Sequence, residues 1–169
     1  MMVRREKPAD IPVIRTVVAD AFEGHPHSDG READIVEALR EAGDLSLSMV
    51  AEVDGEVVGH IAFSQSRTSD GQRGWVALGP VAVRPDKQGT GVGRALIERG
   101  ISMCYGLGAK GVVVLGDPAL YRRFGFRPDT PLCIEGELGA YFQVLPLGSP
   151  APEATLDFAP AFGPSPASA

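Results

Sequence analysis

The chain has 169 residues, with 16 Lys+Arg against 22 Asp+Glu and a net charge of −6, enough length for one domain that buries a core without disulfide or metal staples. The acidic balance argues against a protein whose main task is gripping nucleic acid or an anionic membrane, since both need a basic footprint. Two cysteines, Cys104 and Cys133, make no disulfide framework and fit a reducing cytoplasm.

In chain order, the N-terminus MMVRREKPAD shows no apolar run after its charges, so no secretory signal is expected. Met2–Glu6 reads as a short edge strand. Asp10 is expected to cap a helix that runs to about Phe22, with Ile14, Val17, Val18, Ala21 and Phe22 on one apolar stripe. Glu23–Gly30 is a loop, and a second helix spans about Arg31–Ala42. Alternating apolar residues over Leu45–Val53 and Glu56–Ser64 flank Asp54-Gly55, a pair suited to a type I′ hairpin turn. After a break at Ser69–Gly74, Trp75–Val83 completes a three-strand antiparallel meander; it is too short and too broken by Gly79-Pro80 to span a bilayer.

The pattern changes at Arg84. A loop, RPDKQGTGVG, leads into helical periodicity from Val92 to Leu107. Val112–Leu115 reads as a buried parallel strand. Asp117-Pro118 opens a short helix to about Phe124, which Gly125 ends. Leu132–Ile134 and Tyr141–Leu147 are further strands. Ser149–Ala169 is a tail rich in Pro and Ala whose end is expected to be mobile, with Thr155–Phe162 able to pack as an edge.

Strand, glycine-rich loop, then helix is an order with chemical meaning. The first helical turn leaves N–H groups unpaired and carries positive partial charge, and glycines let a ligand approach the backbone. Together they form a seat for a pyrophosphate, with Lys87 and Arg94 adding local positive charge. The spacing of Gly89, Gly91 and Gly93 does not fit G-x-G-x-x-G, and no G-x-x-x-x-G-K-[ST] loop is present.

The segment LGPVAVRPDKQGTGVGRALI (Leu78–Ile97) resembles the acyl-CoA loop of the GNAT N-acetyltransferase superfamily, an apolar strand followed by Gln/Arg-x-x-Gly-x-Gly/Ala; Gln88 through Gly93 fill that pattern. Downstream, YRRFGF (Tyr121–Phe126) is similar to the family's Tyr-x-x-x-Gly-Phe, and VVGHIAFS, LGPVAV and LGDPALYRRFGF together look like its YhbS-like branch of predicted acetyltransferases. The resemblance covers roughly residues 2–147. It implies an α/β (α+β) GNAT fold: a mixed, mostly antiparallel sheet of about six or seven strands flanked by helices, splayed in a V between the fourth and fifth strands. It implies a domain over 1–148 with 149–169 as tail.

The resemblance further implies acetyl-CoA as cosubstrate, with no metal. The pantetheine arm is expected on the main chain of Val81 and Val83. The pyrophosphate is expected on the amides of Gln88, Gly89, Thr90, Gly91, Val92, Gly93 and Arg94. Asp117 stands where the family often has an Asn on the pantetheine arm; a plain helix cap is the other reading of that residue. Tyr121 stands where the family places the acid that protonates the leaving thiolate. Packing alone is the other reading of a Tyr beside Phe124 and Phe126.

The expected reaction is direct acetyl transfer from the thioester to a primary amine of a small molecule or peptide. A non-catalytic acyl-CoA sensor and a nucleotide-binding enzyme of another fold are its rivals. Some relatives place a basic Glu on the strand before the loop, and Trp75–Pro80 has no acid. Glu23, His25, His27, Glu52 and His60 are the other candidates for a base; His60 also reads as a buried structural histidine and Glu52 as a solvated one. His25-Pro26-His27 lacks further ligands for a metal, and Glu23–Asp29 either borders the acceptor or is plain surface. Arg122 and Arg123 suit either the CoA 3′-phosphate or solvent. A homodimer is left open; nucleic acid and membrane are not expected partners.

Overall fold

The computed structural model describes residues 1–163. Its strands are β1 (Met2–Arg5), β2 (Leu45–Val53), β3 (Glu56–Gln65), β4 (Arg67–Thr68), β5 (Trp75–Val83), β6 (Gly111–Leu115), β7 (Leu132–Cys133), β8 (Phe142–Pro146) and β9 (Ala154–Asp157). Its helices are α1 (Ile11–Phe22), α2 (Glu32–Ala42), α3 (Val92–Gly106) and α4 (Pro118–Tyr121), with 3-10 turns between. The main sheet has the order β1-β2-β3-β5-β6-β8, and a three-stranded sheet has the order β4-β9-β7. The architecture is the expected mixed α/β class with a mostly antiparallel six-stranded sheet and flanking helices. The chain divides into two interleaved compact units.

The first unit takes Met1–Phe63 and Gly79–Ser102. β1 pairs antiparallel with β2, from Met2↔Glu52 to Arg5↔Met49. Asp54 and Gly55 both have positive φ, +51° and +79°, as the β2–β3 turn requires. Ile14, Val17 and Val18 of α1 bury against Ala33 and Val36 of α2, Val50 of β2 and Ala82 of β5. α3 seats closely on β3: a Cβ at Gly59 would stand 2.9 Å from Leu96 and Val92, and one at Gly100 would collide with the Phe63 ring. Asp10 does not cap α1 as expected. Its Oδ2 accepts the Lys7 amide at 2.6 Å and Nη1 of Arg4 at 2.7 Å, closing the 3-10 turn Pro8–Asp10 instead.

The second unit takes Ser64–Leu78 and the chain from Met103. β5 pairs parallel with β6 from Trp75↔Gly111 to Ala77↔Val113, and β6 pairs antiparallel with β8 up to Leu115↔Phe142. Trp75, Val113, Leu132, Phe142, Val144 and Leu156 share one core. Gly111 has no room for a Cβ because the Trp75 ring lies over it. The α-helix after Asp117 stops at Tyr121 and tightens to a 3-10 turn over Arg122–Phe124, and Gly125, at φ +94°, ends it.

The expected tail is built differently from its composition. β9 is the middle strand of the small sheet, antiparallel to β4 and parallel to β7, rather than an edge. The physical reason is burial: Ala154 and Leu156 are 8% and 3% exposed among the core residues of this unit. The expected mobile end falls on residues 164–169, outside the described residues.

Candidate functional site

In the first unit, β5 ends at Val83 and the Arg84 amide bonds the Val58 carbonyl at 2.8 Å, which fixes where the loop departs. The Arg84 guanidinium holds Asp86 and Glu56. Gln88 closes the turn rather than opening it: its amide donates to the Pro85 carbonyl at 3.4 Å and its Nε2 to the Val83 carbonyl at 3.0 Å. Thr90 donates its hydroxyl to the Lys87 carbonyl. From Gly89 to Arg94 the amides donate to no acceptor within this unit, and the first helical bond comes from Ala95 to Gly91 at 3.1 Å. Gly89 and Gly91 have φ +73° and +92°, and nothing lies within 4 Å of a Cβ built on either. The result is a row of unspent N–H groups at the positive end of α3, with room above them. That is a fit for a diphosphate, with the correction that the Gln88 amide is already engaged. Arg94 is exposed and pairs with Glu98 at 2.8 Å, a contact easily exchanged for a ligand. Val81 and Val83 are half-buried and lie past Ala77, the last β5 residue in register with β6.

In the second unit, Tyr121 is 9% exposed, and burial pushes its phenol up to about 12. Its ring meets Phe126 edge-on at 5.6 Å and Phe124 at 6.5 Å. A Cβ on Gly116 would stand 2.9 Å from Tyr121 Cδ2 and closer to Cε2, so the ring lies directly on that glycine. Asp117 is exposed and does cap α4, with Oδ1 accepting the Ala119 amide at 2.9 Å. Arg122 and Arg123 are exposed beside Tyr121 on the 3-10 turn.

The candidate bases lie in the first unit. Glu52 is bound by Arg4 at 3.1 Å, and that hydrogen bond holds its carboxyl below the usual range. His60 is fully buried, and desolvation pushes it down to about 4. Ser48 donates to Glu6, which pairs with Arg40 at 2.9 Å, so the 2.8 Å contact between Ser48 and His60 Nε2 makes the histidine the donor. His60 Nδ1 then has no partner among the described residues. This is a structural histidine, neutral and enclosed. Glu23, His25 and His27 are exposed on the loop after α1, where the His27 amide donates to His25 Nδ1 at 3.2 Å. Among the described residues no three His, Cys, Asp or Glu side chains gather as a metal site. Cys104 is buried and its thiol is pushed up to about 12, so it is not an activated nucleophile, while Cys133 is exposed. The sequence reading missed Gly116 as the bed of Tyr121 and Gln143, whose amide donates to the Gly116 carbonyl at 3.1 Å. Neither carries a local motif.

The profile of the acetyltransferase (GNAT) family matches residues 12–126. The Escherichia coli K12 protein named Uncharacterized N-acetyltransferase YhbS is 42% identical over 127 residues, 75% of this chain and 73% of that protein. A crystal structure of a GNAT family acetyltransferase from Brucella melitensis, in complex with acetyl-CoA, is similar with a TM-score of 0.85 at 43% identity, covering 95% of this chain and 97% of that one. The Escherichia coli YhbS structure, in complex with CoA, also reaches 0.85 at 33% identity, covering 96% and 92%.

Proposed function

The chain belongs to the GNAT acetyltransferase family, and from that premise we propose that it transfers an acetyl group from acetyl-CoA directly to a primary amine. The observation that carries this reading is the row of amides from Gly89 to Arg94 without acceptors in their own unit. Their positive partial charge and the open space over Gly89 and Gly91 suit a pyrophosphate. Two similar proteins crystallised with acetyl-CoA and with CoA support the same cosubstrate.

In the proposed reaction the amine nitrogen bonds the thioester carbonyl carbon, the carbon–sulfur bond breaks, and the sulfur leaves with a proton. The main chain of Val81 and Val83 would align the pantetheine arm in the manner of an added strand. An amide there would steady the developing oxyanion. The second carboxylate oxygen of Asp117, not used by the cap, can accept from a pantetheine N–H. Tyr121, with its phenol near 12, stays protonated through the physiological range and can donate to the departing sulfur. Glu52 and His60 are committed elsewhere, which leaves Glu23, His25 or His27 on the exposed loop after α1, or water, to take the amine's proton. The free cysteines support a reducing cytoplasm as the place of work. Separately, no helix among the described residues is long and apolar enough to cross a membrane.

Titration calorimetry with acetyl-CoA, followed by thiol release with a panel of amines, tests this. Binding together with amine-stimulated CoA release is the expected result. No heat with either CoA or acetyl-CoA overturns the loop assignment. Binding with no release for any amine leaves a non-catalytic acyl-CoA binder.

A further inference from the structure

Gln143 lies on β8 opposite Val114 of β6, with none of its surface exposed. Its Nε2 donates to two main-chain carbonyls, Gly116 at 3.1 Å and Tyr141 at 3.4 Å. The Tyr141 carbonyl also accepts the Gly116 amide at 3.1 Å. Gly116 is therefore held through both its N–H and its C=O, one residue past the end of the β6–β8 ladder at Leu115↔Phe142. The other side of this glycine is the surface on which the Tyr121 ring rests.

The chemistry of the side chain matches that task. A neutral –NH2 offers two hydrogens to two carbonyls, whereas a carboxylate would oppose both and an ammonium would bury a charge. The arrangement carries a cost. Gln143 Oε1 is buried with no partner among the described residues, and an orphan acceptor of this kind destabilises the fold. A methionine would fill the same space without that cost. What the glutamine supplies instead is a fixed position for Gly116.

We propose that Gln143 is a positioning residue for acetyl transfer, acting through Gly116 to set where the Tyr121 hydroxyl points. This rests on the reading of Tyr121 as the acid. The two –NH2 bonds hold Gly116, Gly116 holds the ring, and Phe126 closes the ring's edge.

A double-mutant cycle on the full chain tests it, using Gln143→Met, Tyr121→Phe and the pair. The readouts are kcat and KM for acetyl-CoA with the best amine of a panel, thermal midpoint, and the position of the Tyr121 carbon-13 Cζ resonance at neutral pH in the ligand-free protein with labelled tyrosine. Gln143→Met is expected to lower kcat roughly tenfold, leave KM for acetyl-CoA within about twofold, and add no loss in the Tyr121→Phe background. It is also expected to displace the Tyr121 Cζ resonance, the sign that the ring on Gly116 has moved. A merely structural glutamine would shift the thermal midpoint without this kcat-against-KM split. Should Gln143→Met not fold, Gln143→Asn, which keeps the amide but draws it back, takes its place in the cycle. Wild-type kcat in the folded variant, an unmoved Tyr121 resonance, or additive losses in the double variant each overturn the proposal. Wild-type kcat in Tyr121→Phe alone removes the acid reading itself, and the positioning role with it.

Discussion

Gly91 and Gly116 are glycines for opposite reasons. Gly91 has a backbone at φ +92° that side-chain-bearing residues rarely adopt, yet nothing stands within 4 Å of a Cβ built there. Gly116 needs no unusual backbone but has no room, because the Tyr121 ring occupies the place of its Cβ. The first glycine shapes main chain toward empty space, and the second yields its side-chain volume to a neighbour already in the protein. On the proposed reading, the anion seat is assembled from consecutive residues, whereas the proton donor is set by packing between distant ones.

The sharpest way to break that contrast is Tyr121→Phe. It is expected to lower kcat by about 100-fold or more while acetyl-CoA affinity stays within about twofold. With the phenol near 12, the acid is lost only as pH rises through that value, so wild-type activity should show no tyrosine-dependent fall below about pH 10. A descending limb near neutrality that vanishes in Tyr121→Phe would contradict the burial argument. Next in size is Gly116→Ala, expected to cost about 1–3 kcal/mol of stability and, by tilting the ring, roughly tenfold in kcat. Gly91→Ala should do the reverse. With alanine the free loop escapes a backbone cost of roughly 1–2 kcal/mol by moving off that φ, and the cost of restoring it should register in calorimetry as about tenfold weaker acetyl-CoA binding with kcat at saturation retained. If Gly91→Ala changed kcat alone and Gly116→Ala changed affinity alone, the assignment of the two regions would be reversed. The smallest effect belongs to Asp117→Ala, which removes a helix cap worth about 1 kcal/mol. A thermal melt checks that cost, and a loss of acetyl-CoA affinity beyond it would show the carboxylate on the ligand.

The same contrast explains what was legible in the sequence. The turn at Asp54-Gly55 and the loop at Gly89–Gly93 are local patterns whose backbone demands are written in consecutive residues. Tyr121 could be placed by its resemblance to a family pattern, but its bed could not. Gly116 is five residues away, while Gln143 is 27 residues beyond Gly116 and belongs to another strand. Asp10 was misread for a similar reason: a cap was the sensible local reading, but Arg4 reaches it from β1 and also grips Glu52, 48 residues on. His60 reads as polar on an apolar strand, and only the Ser48–Glu6–Arg40 chain shows why it is tolerated there.

The middle position of β9 has a consequence for synthesis. β4 has emerged from the ribosome long before its partner exists, and the Thr155 amide must return across 86 residues to the Ser69 hydroxyl. The second unit therefore cannot complete its small sheet while the nascent chain is still short of residues 154–157. Until then the core around Trp75 and Leu132 lacks the cover of Ala154 and Leu156, its last buried members to be made.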